Sequence, residues 1–162
     1  MAVDFFLKLE GADYKGESKD HKHKDEIQLE SWSWGATQTG TAASGGGAGA
    51  GKVSMQDFHF VMPLNKASPH LMLACATGKH IPSGLLTCRK AGEKPLEYLK
   101  IKMTDVLVSS YQTGANTGGE VPMEQISLNF AKIEVEYATQ KADGSPEPSG
   151  KAGYDLKSNQ KI

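Results

Sequence analysis

Apolar and polar residues alternate along most of the chain, beginning near the N-terminus. There Val3, Phe5, Leu7 and Leu9 share one face while Asp4, Lys8 and Glu10 point the other way. A period of two marks a half-buried strand, and Gly11 ends this one. Ile27 and Leu29 run in phase with Ser31 and Ser33, whereas Gln28 and Glu30 alternate with Trp32 and Trp34 until Gly35 stops the run. Each face of this second strand is apolar at one end and polar at the other, as in a strand that passes from a core to another kind of surface. Ile126, Leu128 and Phe130 are in phase, and Ile133, Val135 and Tyr137 are in the opposite phase. One long bent strand, or two, is predicted there, with a bulge near Ala131 and Lys132 reconciling the phases. Further strands are predicted at Val53 to Phe60, Gly84 to Lys90, Leu96 to Met103, Val106 to Ser110 and, briefly, Tyr154 to Leu156.

One segment breaks the alternation. Ser68 followed by Pro69 supplies an N-cap and a proline for the first helical position, and Leu71, Met72 and Cys75 fall at one-face spacing. Gly78 follows as the stop. A helix is expected over about Ser68 to Thr77. One helix among many short strands predicts a mainly β fold, an antiparallel β-barrel or sandwich with long Gly-rich loops, in which the helix covers an open edge or end.

The chain has 162 residues, which suits one domain spanning 1–162. Its eighteen glycines are concentrated in loops. From Gly35 to Gly51 it reads GATQTGTAASGGGAGAG, so a Gly-rich extended loop is expected over 35–52, longer than unstructured loops usually run. A second small-polar stretch runs from Thr113 to Gly119, and Lys141 to Gly153 collects Pro146 and Pro148 within a polar C-terminal tail at 138–162. Eighteen basic against nineteen acidic residues give a net charge of −1, which lacks the basic footprint of a nucleic-acid or anionic-membrane binder. Asp4 and Lys8 interrupt the first apolar stretch and no apolar run is long enough to span a bilayer, so neither a signal peptide nor membrane insertion is expected. Cys75 and Cys88 are too few for a disulfide framework and form no CxxC unit; buried thiols in a chain that folds in the cytosol are expected.

The chemistry that the motifs offer is sparse. GGAGAGKV, Gly46 to Val53, has the GxxxxGK spacing of a phosphate-binding loop. It lacks the following hydroxyl, however, and runs into a strand pattern where a helix is required. His21 and His23 in KDHKHKDE have an HxH spacing with Asp20 and Asp25 beside them, but the mixed charges without apolar anchors predict a solvated loop with no preorganised metal geometry. His59, His70 and His80 read as surface or hydrogen-bonded structural residues. No GxSxG elbow is present. Glu134 and Glu136 read as the solvated side of an amphipathic strand. Trp32 and Trp34 could form an aromatic platform, giving the alternative of a monomeric β-sandwich module that binds a glycan. No catalytic residue, cofactor or metal is assigned.

The order of these features resembles a known family. GES at Gly16 to Ser18, SWSWG at Ser31 to Gly35, the glycine-rich loop, SPHLMLACATG ending at Gly78, and EQISLNFAKIEVEY from Glu124 to Tyr137 are similar to the haemolysin-coregulated protein (Hcp) family of bacterial type VI secretion. The resemblance implies a non-enzymatic β-barrel subunit with one helix. It implies hexameric rings that stack into the tube of a contractile, phage-tail-like machine, with spike and sheath proteins as partners. It also implies that the ring carries small effector proteins in its lumen and leaves the cell without a signal peptide. Within that frame, Ser31 and Ser33 are expected to face the lumen, with Trp32 and Trp34 packed on the other side and Gly35, Ser68, Pro69 and Gly78 structural. Thr37, Gly40, Gly45, Gly46, Gly47, Gly49 and Gly51 are expected to make contacts between subunits or between rings.

Overall fold

A computed structural model describes residues 2–40 and 50–162. Eleven strands and one α-helix follow in the order β1 (Val3–Leu9), β2 (Ile27–Leu29), β3 (Ser31–Ser33), β4 (Ala36–Gly40), β5 (Ala50–Met55), β6 (Phe58–Pro63), α1 (Ser68–Thr77), β7 (His80–Lys90), β8 (Leu96–Gly114), β9 (Met123–Gln140), β10 (Pro146–Asp155) and β11 (Gln160–Lys161). All pairings are antiparallel. One path of hydrogen-bonded neighbours runs β11-β10-β9-β8-β7-β1-β2, and a branch runs from β9 through β6 to β3. Because only Glu30 separates β2 from β3, the sheet curls back on itself around one apolar core that includes Leu7, Ile27, Phe58, Phe60, Leu86, Met103, Ile126 and Leu128.

The mixed faces of the second predicted strand have a structural cause. Ile27 and Leu29 are buried, Glu30 and Ser31 are both exposed, and the inward face passes to Trp32. The step at Glu30 lets the first half pair with β1 and the second half with β6. A similar step explains the phase change in β9, without the expected bulge. The register of β8 on β9 is the same on both sides of Ala131, as Thr104 opposes Lys132 and Val106 opposes Phe130. β8 changes face at the same level, from Ile101 and Met103 to Val106 and Val108, through Asp105 at a φ of 55°. Two coordinated steps bend both strands together, so the two stretches predicted at Leu96 to Met103 and Val106 to Ser110 are one strand.

Other boundaries differ from the pattern. The run Val53 to Phe60 divides at Gln56 and Asp57 into β5 and β6, and β7 begins four residues before Gly84. The two described ends of the expected glycine loop form a two-stranded ribbon of β4 and β5; Gly45, Gly46, Gly47 and Gly49 lie outside the described residues. The expected tail holds the end of β9, all of β10 and β11. In β10, Lys141 N–H donates to Ser145 O, so by alternation Pro146 and Pro148 turn their backbone away from β9, where a missing N–H costs no ladder bond.

The helix has the expected span but a different start. Its N-cap is Ala67, and Ser68 is already inside. Asn65 Oδ1 accepts from Ala67 N–H and Ser68 Oγ accepts from Asn65 N–H, so the side-chain bonds that organise this turn centre on Asn65. Leu71 and Ala74 are buried, whereas Met72 is exposed and Cys75 half-buried. Gly78 caps the helix in the left-handed region, at a φ of 71°, with its N–H on Ala74 O.

Phe6 points away from the main core, on the side of Asp4 and Lys8, yet is buried. Its cover is KDHKHKDE, the segment expected to be a solvated loop. His23 stacks on the Phe6 ring with centroids 4.4 Å apart, and the Arg89 guanidinium carbon lies 5.0 Å from the same centroid. Asp20 grips Arg89 through two bonds of 2.6 and 2.9 Å and accepts from the N–H groups of Lys22 and His23, while Asp4 holds Arg89 from β1. Lys19–Glu26 is therefore a strap anchored by charge over one aromatic ring that the main core does not cover. The Arg89 guanidinium holds the Asp20 carboxyl well below the usual carboxylate range. A carboxylate depressed on folding stabilises fully above its ordinary range, and that contribution is lost as pH falls through the folded value. Asp20→Asn is expected to cost about 1–3 kcal/mol at pH 7, and urea titrations should show the gap to wild type narrowing as pH is lowered below about 4.

Candidate functional site

Among the surfaces, the face of β3 is the one whose sequence calls for explanation. Ser31 and Ser33 are exposed, and Trp32 turns inward, meeting Phe5 edge-on at 6.3 Å and stacking on Phe58 at 5.9 Å. Trp34 also packs on the core, with its indole nitrogen buried and without a partner among the described residues. With Trp32 engaged by two rings and Trp34 against the core, the pair is not the open platform that sugar stacking requires.

From the serines, polar positions continue across the neighbouring strands. Ser33 lies opposite His59, which lies opposite Ser127, itself opposite Ser110. Ser31 lies opposite Val61, then Gln125, then Gln112. Residues paired in this way share a face, so β3, β6, β9 and β8 together present hydroxyl, amide and imidazole groups, interrupted by Val61, with no Asp, Glu, Lys or Arg in either row. The Nδ1 atom of His59 is 2.9 Å from Ser127 Oγ. Asp57, the carboxylate next in sequence, is engaged elsewhere, accepting from Ser109 Oγ at 2.6 Å and Asn129 Nδ2 at 3.0 Å. The Ser–His pair thus lacks the orienting carboxylate of a catalytic triad.

The ribbon leaves the body next to this face. Gly35 O accepts from Gln56 N–H at its base, Thr37 pairs with Ser54 and Gly40 with Ala50. Every residue of β4 is exposed. The register shifts between Gln38 and Gly40, and there a Cβ on Gly51 would stand 2.9 Å from Thr39 O, so glycine permits the close approach. Lys52 lies in β5, a strand, where a phosphate loop requires the start of a helix.

The remaining candidates are tied into structure. Both ring nitrogens of His23 are occupied by Glu26 and Glu97, and His80 Nδ1 lies 2.6 Å from Asp105, which also binds Lys157. Among the described residues no group of three or more His, Cys, Asp or Glu side chains is placed to hold a metal ion. Glu134 and Glu136 are half-buried, opposite Lys102 and Lys100. Cys75 and Cys88 are both free; burial pushes the Cys88 thiol up to about 11, whereas Cys75 is only half-buried. No helix among the described residues is long and apolar enough to cross a membrane.

One polar cluster escaped the sequence pattern. Glu124, fully buried at the start of β9, accepts hydrogen bonds from Ser68 Oγ of α1 and Tyr111 OH of β8. Burial and the neighbouring carboxylate push the Tyr111 hydroxyl up to about 12. Its only sequence signal is an acid in phase with Ile126 and Leu128, on the apolar face of an otherwise regular strand. Removing the acceptor strands two hydroxyls at the point where the helix joins the sheet. Glu124→Ala is expected to lower unfolding free energy by about 2–4 kcal/mol, and Glu124→Gln, which keeps an acceptor oxygen, by less; urea unfolding at pH 7 compares them.

Comparison with known proteins bears on this arrangement. Residues 6–137 match the family model described as "Type VI secretion system effector, Hcp". Protein hcp1 of Pseudomonas aeruginosa is 50% identical over 161 residues, covering 98% of each chain. The crystal structure of Hcp1 from Salmonella typhimurium is similar with a TM-score of 0.82 and 40% identity over the whole of both chains. A structure described as that of a type six secretion system protein has a TM-score of 0.92 and 32% identity, over 99% of this chain and 100% of the other.

Proposed function

The chain belongs to the Hcp family of type VI secretion proteins, and from this we propose that it is the structural subunit of the machine's inner tube. In this reading six copies close into a ring and rings stack into a tube, with spike and contractile sheath proteins as further partners. The tube assembles in the bacterial cytoplasm, holds small effector proteins in its lumen, and is delivered to the medium or a target cell. The subunit performs no catalytic turnover and uses no cofactor.

The observation that carries this reading is the β4–β5 ribbon. It is a sheet of two strands, separate from the main sheet and exposed along β4. Such a ribbon is marginally stable alone in water, and a surface supplied by another copy is the simplest source of the missing contacts. Thr37, Gly40 and Gly51 then belong to a contact between subunits or rings, and Gly45, Gly46, Gly47 and Gly49 extend it. Ser31 and Ser33 face the lumen in this reading, where the uncharged rows around them give a passenger hydrogen-bonding groups without a strong field.

A hexamer of the 17.4 kDa chain has a mass of roughly 104 kDa. Native mass spectrometry at several concentrations should find it as one discrete species, and a monomer at high concentration overturns the reading. Replacing Thr37–Gly51 with a short turn is expected to abolish stacking of rings under electron microscopy; unchanged rings and stacks rule out the role given to the ribbon. Bulky changes, Ser31→Trp with Ser33→Trp, should cut co-purification of effectors at least about tenfold while leaving the ring mass intact. Unchanged loading removes both serines from the lumen wall.

A further inference from the structure

The strap over Phe6 contains a histidine bonded on both sides. His23 is 7% exposed; its Nδ1 lies 2.8 Å from Glu26 Oε2, and its Nε2 lies 2.7 Å from Glu97 Oε1 on β8. A neutral imidazole has one N–H and one lone pair, and an ionised carboxylate can only accept. Two such bonds at once therefore need one proton more than a neutral ring and two carboxylates contain. The count is the same whether that proton sits on the ring or on one carboxyl. We propose that the strap is a proton-held latch, which takes up one proton when it closes over Phe6 and releases it when it opens.

The surroundings define what opens. Facing the cluster are Glu26 from the strap side, Glu97 from β8 with Lys100 Nζ 3.6 Å from its other oxygen, and, around the Phe6 ring, Arg89 of β7 with Asp20 of the strap and Asp4 of β1. Loss of the extra proton leaves a ring lone pair against a carboxylate oxygen in a site with little access for water, so one of the two bonds is lost. The Asp20–Arg89 pair does not depend on that proton. Asp20 stays fixed at one end, and at the other Asp25 and Glu26 stay held by backbone bonds to Gly16 and Ser18, while the turn at Lys22–Lys24 opens, gives up the bonds from Lys22 and His23 N–H to Asp20, and uncovers Phe6. Since the closed form binds the additional proton, closure is favoured at low pH and weakens as pH rises. The latch goes beyond the tube reading and does not rest on it, because it is internal to one chain.

Hydrogen exchange read by mass spectrometry on the assembled protein tests this, with rates corrected for intrinsic exchange and referred to peptides of β7 and β8. Between pH 6 and pH 9 the protection of peptides covering 19–26 is expected to fall at least about tenfold further than the reference. In His23→Gln, protection should be low already and independent of pH. Because that variant can lose the strap altogether, Glu97→Gln supplies a second arm: its amide can donate to the lone pair of a neutral ring while the other ring nitrogen donates to Glu26, so the extra proton is no longer needed and the strap should stay protected up to pH 9. Wild-type protection that tracks the reference throughout, or a Glu97→Gln strap that releases at the wild-type pH, overturns the proposal.

Discussion

The rest of the structure depends on the face reversal at Glu30. In a strand, side chains alternate sides without exception, so a residue segment that must bury Ile27 and Leu29 on one pairing and Trp32 on the next has to break phase between them. By placing two exposed residues in succession, the chain lets β2 complete one end of the sheet and β3 begin the other. The matched steps at Asp105 and Ala131 do the same for the two longest strands. Without these reversals the sheet would be flat and its two apolar sides would need separate covers.

The elements legible in the sequence were those with a core to face. β1, the helix and its Gly78 stop follow from period and capping chemistry, because their apolar residues meet one surface. The ribbon was hidden because Gly, Ala and Thr carry no apolar rhythm when neither side of a strand is buried. The strap was hidden for a different reason: its anchors are ionic, and Asp20 finds Arg89 69 residues away, a distance over which local composition is silent. Phe6 was the available hint, a large ring on the polar side of β1 with nothing local to cover it. At the candidate site, the exposure of Ser31 and Ser33 opposite Trp32 was readable from alternation, whereas the continuation through His59, Ser127, Gln125 and Gln112 needed the register.

Polar groups are therefore used in two ways. Glu124 and the His23 cluster are buried or nearly so, and each joins an element of irregular position, the helix or the strap, to the regular sheet. Hydrogen-bond geometry fixes such joints more narrowly than apolar packing does, at the cost of being intolerant to the loss of any one member. The β3 face has the opposite character. Its serines and glutamines are mostly exposed, and among the described residues only His59 and Ser127 are bonded side chain to side chain there, which leaves that surface free to adapt to what it meets.

The prolines of β10 carry a consequence for behaviour at high concentration. Along Pro146–Ala152 no strand among the described residues lies beyond the outer margin of the sheet, since β11 pairs with Tyr154 and Asp155. An open margin of this kind is where folded proteins begin to polymerise by adding strand to strand, the route to amyloid. Pro146 and Pro148 withhold amide protons from that side, so a stranger strand finds an incomplete template. A protein protected in this way can accumulate to high levels without joining edge to edge.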